Sequence, residues 1–263
     1  MPGSKIRKIV LFGAGNLATN LALALKKEGF YILQVYDRTE YHGKKLAKKV
    51  DAIYINDLSG LNPEADLYII SISDSAIKSI ADKVHLKDKL IIHTSGSMDI
   101  DILQGSSSNY GAFHSPQTFS KSKPVSFRNL HVDIQANNKQ SEEALVEFAG
   151  ILCNNVHVVN SEQRKIIHIA AVFAGNFSNF MYSIAEDILT ANDLPFNLMQ
   201  PIIKKTSENS KYKDPFKRQT GPAMREDYEV LANHMEILAK YPQYRAIYDL
   251  ISKNIIKHKK LHE

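Results

Sequence analysis

The chain has 263 residues, of which 44% are hydrophobic and 23% charged, which suits one large or two ordinary globular domains. Its net charge of +5 suits an anionic ligand, but the lysines lie in scattered pairs, which argues against a nucleic-acid partner. The lone Cys153 excludes an intrachain disulfide and a cysteine-based zinc site, and we expect no bound metal. No apolar run is long enough to span a membrane and no signal-peptide core is present, so we expect a cytoplasmic protein.

The first predicted elements are a strand, a tight turn and a helix. Apolar residues 9–12 are typical of a buried strand, and they lead directly into Gly13-Ala-Gly-Asn-Leu-Ala18. In this pattern Gly13 permits the turn, Gly15 lets the main chain approach a pyrophosphate, and Ala18 lets the helix pack on the strand. Amide groups near Asn16 and Leu17, at the helix N-terminus, would bind the phosphates. The alternative is that the glycines only build a turn.

A second apolar run, Tyr31–Tyr36, ends in a polar loop that bears on the cofactor. Asp37 lies 19 residues after Ala18, where a carboxylate that contacts ribose is expected. That carboxylate favours NAD, whereas the guanidinium of Arg38, which Thr39 follows, can hold the 2′-phosphate of NADP. The alternative is that Arg38 is a solvated loop arginine that binds no ligand. The residues therefore leave the choice of cofactor open.

Further strands and helices alternate at the spacing of a doubly wound parallel sheet. Segments 65–71 and 89–93 are predicted to be buried strands. Ligands of such sheets lie outside the carboxyl ends of the strands. The loops after these two strands should therefore join the glycine motif at one edge and supply further cofactor contacts from Ser73, Asp74, Thr94, Ser95 and Gly96.

The middle of the chain is less regular. Segment 110–119 is predicted to be a strand that enters a loop, 130–136 and 156–159 to be strands, and 141–152 to be a helix. His114 and Gln117 in the first of these loops are polar groups that could face the nicotinamide, although a loop histidine is often structural. We take His114 as a catalytic candidate and Gln117 as a substrate-binding candidate.

From Ser161 onwards the pattern becomes helical. A long helix is predicted from about Gln163 to Ala191, with no strand after it, and it would be about 40 Å long. It is apolar nearly all round between Ile166 and Phe180, which predicts burial. We therefore predict an α/β fold in which a doubly wound, mostly parallel Rossmann sheet (residues 1–160) is followed by an all-helical domain (161–263) for substrate binding and dimerisation.

A polar stripe interrupts this apolar helix. At 100° per residue, five small or polar residues fall within about a quarter of its circumference: His168, Gly175, Asn176, Asn179 and Ser183. Burying an unpaired amide costs about 1–3 kcal/mol, so the stripe needs polar partners. They would come either from a ligand site that faces the cofactor or from helix–helix hydrogen bonds within a dimer or the core.

The chain resembles a group of bacterial Rossmann-type NADP oxidoreductases of unassigned substrate that carry a helical C-terminal domain. It is similar to pyrroline-5-carboxylate reductase and, more distantly, to dehydrogenases built like 6-phosphogluconate dehydrogenase. The resemblance covers nearly the whole length and rests on these segments: Gly13–Ala18, Arg38-Thr39, Ser73–Ile77, His93–Ser97, His114–Phe119, His168–Asn176 and Thr220–Arg225.

The sequence departs from the pattern of these families at two positions. The group commonly carries Ser or Asn before the Arg-Thr pair, whereas Asp37 here would repel a 2′-phosphate and leaves NAD possible as the alternative to NADP. The hydroxyacid branch of the wider superfamily has a lysine one helical turn before the asparagine of the central helix. That position is Val172 here, so the acid/base role of the lysine is not carried over.

The resemblance implies an NAD(P)-dependent oxidoreductase that transfers a hydride between a nicotinamide cofactor and a small carbonyl or imine substrate. We expect a homodimer, because a helical domain of about 100 residues has little else to cover so long an apolar helix. His168 is the first candidate for the proton donor, because an imidazole exchanges protons near neutral pH, and Asn176 is the next catalytic candidate. Asn179 and Arg225 are further substrate-binding candidates, although Thr220–Arg225 could equally be a structural turn. The alternative function is a non-catalytic dinucleotide-binding sensor of redox state or a metabolite.

Overall fold

One eight-stranded sheet forms in the part of the chain that the computed structural model describes, residues 6–262. The spatial order is β3-β2-β1-β4-β5-β6-β7-β8, and of these neighbours only β6 and β7 run antiparallel. The strands are β1 Lys8–Phe12, β2 Tyr31–Tyr36, β3 Ile53–Ile55, β4 Leu67–Ile70, β5 Leu90–His93, β6 Asn109–His114, β7 His131–Ala136 and β8 Asn155–Val158. The predicted mostly parallel sheet is confirmed.

Side-chain alternation along the strands gives the sheet two apolar faces. Ile9 and Leu11 of β1 belong to one buried cluster, while Val10 and Phe12 belong to the other. Helices cover both faces, as a doubly wound fold requires. The first face packs against α1 (Asn16–Lys27), α2 (Glu40–Lys49) and α4 (Lys139–Leu152), and the second packs against α3 (Asp74–Ala81).

The predicted long helix is present as three consecutive helical segments. They are α5 (Ser161–Ala171), a π-helical segment (Val172–Phe177) and α6 (Ser178–Thr190). Asn160 caps α5 through a reciprocal capping box with Gln163. The chain divides into two compact units at this helix, the first ending at Phe177 and the second beginning at Ser178. Thus α5 belongs to the unit that contains the sheet.

The second unit is helical throughout its described residues. It contains α6 and four further helices, α7 (Gln200–Asn209), α8 (Pro222–Arg225), α9 (Tyr228–Ile237) and α10 (Pro242–His262). Glu226 pairs with Lys259 of α10 at 3.0 Å, and Asp227 caps α9. Across residues 6–262, none of the helices combines the length and the apolar character needed to cross a membrane.

Candidate functional site

A cavity of about 1380 Å³ opens in the first unit where β1, β2, β4, β5 and β6 end. Drug-sized ligands occupy pockets of roughly 300–1,000 Å³, so this cavity has room for a dinucleotide together with a small substrate. Its lining carries the basic side chains of Arg38, Lys83 and Lys121 against the acidic Asp37 and Asp74. This balance suits an anionic ligand.

Gly13 makes the turn at the centre of the cavity. Its φ of +106° lies in the region that only glycine adopts readily. A Cβ at this position would lie 2.2 Å from the carbonyl oxygen of Ser71, so a side chain is excluded by space as well. The Gly13 amide donates to the carbonyl of Tyr36 at 2.7 Å. Gly13 therefore lets the ends of β1, β2 and β4 converge.

Gly15 has the opposite environment, because nothing lies within 4 Å of the Cβ that it lacks. It is the N-cap residue of α1, and among residues 6–262 no side chain caps the amides of the first turn. Uncapped amides and the positive end of the helix dipole form a site for phosphate groups. The open space over Gly15 lets a diphosphate reach these amides.

Asp37 is held by the main chain at the end of β2. Its Oδ2 accepts a hydrogen bond from the Ala14 amide at 2.7 Å, and its Oδ1 accepts from the Thr39 amide at 2.7 Å. The carboxylate thus links the glycine turn to the loop that carries Arg38. Arg38 itself is exposed, and no ion pair of its guanidinium is found among residues 6–262. Asp37 therefore has a structural role in this loop in addition to the ribose contact expected from the sequence.

The structure brings the predicted cofactor-binding residues together around this one cavity. They are Gly13, Gly15, Asn16, Leu17, Ala18, Asp37, Arg38, Thr39, Ser73, Asp74, Thr94, Ser95 and Gly96. Ser73 precedes α3 without capping it through its side chain, so a second uncapped helix start also faces the cavity. The sequence analysis missed His42, Lys83 and Lys121, because isolated basic residues outside a motif carry no signal of their own.

Two histidines meet beneath Gly96. The rings of His114 and His168 lie with their centroids 5.7 Å apart in an edge-to-face arrangement. A Cβ on Gly96 would lie 2.6 Å from the His168 ring and 2.7 Å from Nε2 of His114. Both imidazoles line the cavity, and they can approach it because residue 96 has no side chain. Proton-transfer groups are thus present at the β5–β6 end of the cavity.

Behind His114 lies a carboxylate that the sequence analysis missed. Asp133 is completely buried, and its Oδ2 lies 3.0 Å from Nδ1 of His114 while its Oδ1 lies 2.6 Å from Nε2 of His131. Burial acts to raise the pKa of Asp133. The hydrogen bonds from His114 and His131 together have a larger opposite effect, so the pKa lies below its usual value. The available signal was a carboxylate between two apolar residues of a predicted strand.

A second buried polar group lies under the same loop. His93, at the end of β5, accepts a hydrogen bond from the Ser95 amide at its Nδ1, 3.2 Å away. Burial, followed by the positive charge of Arg164, lowers the pKa of His93 to about 4. Arg164 of α5 is itself fully buried and donates to the side chain of Gln135 and the carbonyl of Met98. These bonds fix α5 to the sheet beside the cavity.

The π-helical segment brings the central helix into the site. Val172, Gly175 and Asn176 line the cavity, together with His168 of α5 and the predicted Gln117. π-Helical turns are rare overall, but those that occur are often found at functional sites. Their wider turn also changes the angular spacing, so the predicted stripe at 100° per residue does not hold through these residues. Within the first unit the π-helical segment nevertheless brings His168 and Asn176 to one cavity.

Asn179 and Ser183, the other members of the stripe, lie beyond the unit boundary, and so does Arg225. Asn179 is in α6 and Arg225 ends α8, both in the second unit, and their role as substrate-binding residues stays a prediction. Arg225 belongs to a short helix that follows Gly221, whose φ is +105°. Among residues 6–262, no group of three or more His, Cys, Asp or Glu side chains is placed to hold a metal ion.

The predicted burial of the central helix is wrong for the isolated chain. Ile166, Ile169, Phe173 and Phe177 are 65%, 54%, 64% and 48% exposed. Only Ser161 and Arg164 of α5 are buried. The sheet covers one side of α5, and the apolar side chains on its other sides face outwards.

Comparison with known proteins gave two family-model matches. A model described as shikimate / quinate 5-dehydrogenase matches residues 1–103, and a model of a domain of unknown function, DUF2520, matches residues 130–255. The search of curated proteins found no match.

Solved structures match over nearly the whole length. A putative NADP oxidoreductase from Bacteroides fragilis is 43% identical, with a TM-score of 0.91 over 96% of this chain and 98% of that chain. An imine reductase from Myxococcus stipitatus in complex with NADP+ is 14% identical, with a TM-score of 0.66 over 97% and 94%. 1-Pyrroline-5-carboxylate reductase from Streptococcus pyogenes is 11% identical, with a TM-score of 0.62 over 95% and 98%. The last two similarities establish the fold alone.

Proposed function

Since the chain belongs to the family of the Bacteroides fragilis NADP oxidoreductase, we propose that it is an NADP-dependent reductase of a small imine or carbonyl compound. The observation that carries the proposal is the single cavity in which the uncapped glycine turn and the two facing histidines occur together. Fold alone does not determine an activity, so the argument depends on what these residues can do.

The sheet order sets the orientation of the cofactor. The cavity extends from the end of β2 to the end of β6, four strand spacings or about 19 Å along the sheet. The diphosphate fits the amides of α1 at β1, one strand spacing from β2. The adenosine then lies towards Arg38, Thr39 and His42, and the nicotinamide lies towards Gly96 and the histidines. A dinucleotide extended in this way places its reactive ring beside the proton donors.

Arg38 favours NADP over NAD, which stays the alternative cofactor. Both carboxylate oxygens of Asp37 are engaged by main-chain amides, so this residue is anchored in the loop, while the Arg38 guanidinium is exposed at the cavity. An arginine can bind a phosphate through two parallel hydrogen bonds. Thr39 and His42, which also line the cavity, add polar groups beside it.

The reduction requires a hydride at the carbon of the reacting double bond and a proton at its nitrogen or oxygen. Bound NADPH supplies the hydride to the carbon. An imidazole in the cavity, from His168 or His114, supplies the proton to the nitrogen or oxygen. Asn176 and Gln117 orient the substrate through their amides. Asn179 and Arg225 remain predicted substrate-binding residues, and we propose that residues 161–263 serve substrate binding and dimerisation as one domain.

Titration with NADPH and NADH tests the cofactor assignment. The chain contains no tryptophan, so the fluorescence of the reduced nicotinamide can be followed without overlap from the protein. We expect binding of NADPH in preference to NADH, followed by loss of absorbance of NADPH when small cyclic imines or keto acids are added. Failure of both cofactors to bind would contradict the proposal, whereas binding without turnover of any imine or carbonyl would favour the sensor function.

Substitution of Arg38 should identify the phosphate-binding residue. We expect R38A to weaken NADPH binding about tenfold, since a charged hydrogen bond contributes about 1.5 kcal/mol or more, and to leave NADH binding nearly unchanged. The same fluorescence titration measures both affinities. R128A removes an exposed arginine outside the cavity and serves as the matched control. Equal losses for NADPH and NADH in R38A would argue against a 2′-phosphate contact.

We also propose that the chain forms a homodimer through the exposed apolar face of α5. Ile166 and Ile169, together with Phe173 and Phe177, line this face within the first unit. Contiguous exposed apolar surface marks interaction sites, and twofold homodimers are the commonest assemblies. A cytoplasmic location is part of the same proposal, since the buried free thiol of Cys153 suits a reducing compartment.

Light scattering tests the dimer. We expect the wild type to have twice the chain mass of 29.6 kDa, and I169E to have the mass of one chain, because a glutamate in an apolar interface loses its hydration. V158E places the same charge at another exposed apolar position and should leave the dimer intact. A monomeric wild type, or a dimeric I169E, would rule out this face.

A further inference from the structure

The His114–Asp133 pair is built by the antiparallel pairing of two strands. His114 ends β6, and the register places Asp133 of β7 directly opposite it. Both side chains are buried, with 4% and 0% of their surface exposed, and Nδ1 of the imidazole lies 3.0 Å from Oδ2 of the carboxylate. A buried carboxylate costs free energy unless it is hydrogen-bonded, and here both of its oxygens are. The pair is therefore a defined arrangement rather than a surface contact.

We propose that Asp133 is a positioning residue that holds the Nδ1–H tautomer of His114, turns Nε2 towards the cavity and so makes His114 the proton donor. A carboxylate can only accept hydrogen bonds, so the imidazole nitrogen next to it must carry the proton. Nε2, at the far side of the ring, lies next to Gly96 and forms no hydrogen bond with any of residues 6–262. This inference rests on the proposed reductase function.

Their hydrogen bonds distinguish His114 from His168. No residue within 6–262 hydrogen-bonds the His168 ring, which contacts His114 only edge to face. Its positively charged form therefore lacks the carboxylate that supports the charged form of His114. Stabilisation of an imidazolium by a buried carboxylate is the arrangement found in the Ser-His-Asp triad. In the reaction His114 acts in its doubly protonated form. As the hydride reaches the carbon, the electron pair of the double bond moves to the nitrogen or oxygen, Nε2 gives its proton to that atom, and the ring is left as the neutral Nδ1–H tautomer.

His131 completes the arrangement from the surface side. Its Nε2 lies 2.6 Å from Oδ1 of Asp133, its side chain is 38% exposed, and its ring stacks on His157 at 4.5 Å. This second bond fixes the plane of the carboxylate and leaves Oδ2 for His114. The other charged or titratable groups near the pair are Arg164, whose charge interacts with Asp133, and His93, whose protonation the charge of His114 opposes.

The first test does not need turnover, and its decisive measurement is made on the wild type. Protein labelled with ¹⁵N in its imidazoles, with the His114 signals assigned by their loss in H114Q, reports which ring nitrogen carries the proton. We expect the Nδ1–H form in the wild type at neutral pH, and loss of that fixed preference in D133N. The Nε2–H form in the wild type would overturn the proposal even if D133N did not fold.

The second test is kinetic. In the holoenzyme we expect D133N to lower kcat about 100-fold or more, with KM for NADPH unchanged within about twofold. D101N, which removes an exposed carboxylate outside the cavity, should keep kcat within about threefold.

A double variant separates positioning from mere structure. If Asp133 acts through His114, D133N should cost nothing further in an H114Q background, because effects of residues that act as a unit are not additive. A further loss in the double variant, or near-normal kcat in a folded D133N, would overturn the proposal. A wild type that turns over no imine or carbonyl would instead refute the reductase function, and the tautomer measurement would still decide the pairing.

Discussion

Gly13→Ala should lower the free energy of unfolding by about 2–6 kcal/mol, from left-handed backbone strain of about 1–3 kcal/mol and overpacking of about 1–3 kcal/mol. The added Cβ would lie 2.2 Å from the Ser71 carbonyl, and φ at this position is +106°. The nearest atom belongs to the backbone, so it cannot rotate away as the end of a side chain could. Urea unfolding measures the loss, and NADPH binding should disappear with it because the turn carries the amides of α1.

Gly15→Ala is the matched control two residues away. Its Cβ would meet nothing within 4 Å, and its φ of −72° is accessible to alanine. We expect stability to stay equal or to rise by up to about 1 kcal/mol, because alanine has less freedom in the unfolded chain. NADPH binding should still weaken, since the methyl group occupies the approach to the diphosphate. If the two variants lost stability equally, the separation between the structural and the cofactor-contacting glycine would be wrong.

His93 should make the stability of the protein depend on pH between about 6.5 and 4. Its pKa in the folded state is lowered from 6.5 to about 4 by burial and then by Arg164. The unfolded chain therefore binds more protons in this window. The stabilisation is complete above about pH 6.5 and is lost as the pH falls to about 4, by about 3 kcal/mol. Urea unfolding at pH 7, 6, 5 and 4.5 would follow this loss.

His93→Asn should remove most of this dependence. The asparagine side-chain oxygen can take the place of Nδ1 as acceptor for the Ser95 amide, and it does not titrate. The lowered pKa values of Asp99 and Asp133 act below their ordinary value of 3.8, outside the window. A wild type whose stability is flat between pH 7 and 4.5, or a variant with the same slope, would contradict the assignment to His93.

The sheet and the cofactor end of the site could be predicted because they depend on local patterns. Each strand is an apolar run that ends in a polar loop, and parallel strands bring those loops to one edge. Gly13 and Gly15 have spacing that identifies the turn, although their opposite surroundings are a property of the folded chain. The glycine motif therefore meets the cavity because of the order and direction of the strands, which the sequence pattern indicates almost completely.

The catalytic end could be predicted only in part. His114 and His168 are far apart in sequence, and their contact depends on Gly96, whose missing side chain is unremarkable in a loop. Asp133 is part of the site because β7 runs antiparallel to β6, a pairing that strand patterns do not determine. The expectation that the central helix is buried failed because an apolar pattern does not distinguish a face that packs within the chain from one that the chain leaves exposed.

The reversed direction of β7 constrains how this protein can vary. Val132 and Ile134 point into one apolar layer, while Asp133 points to the other side of the sheet, where its partners are. Loss or gain of one residue inside the strand would exchange the two sides and push the carboxylate into hydrocarbon. Residues 122–124 of the loop before β7 are exposed and lie outside the cavity lining, so they can absorb length changes without altering the order of odd and even positions in the strand. Insertions are thus acceptable at 122–124 and damaging within β7.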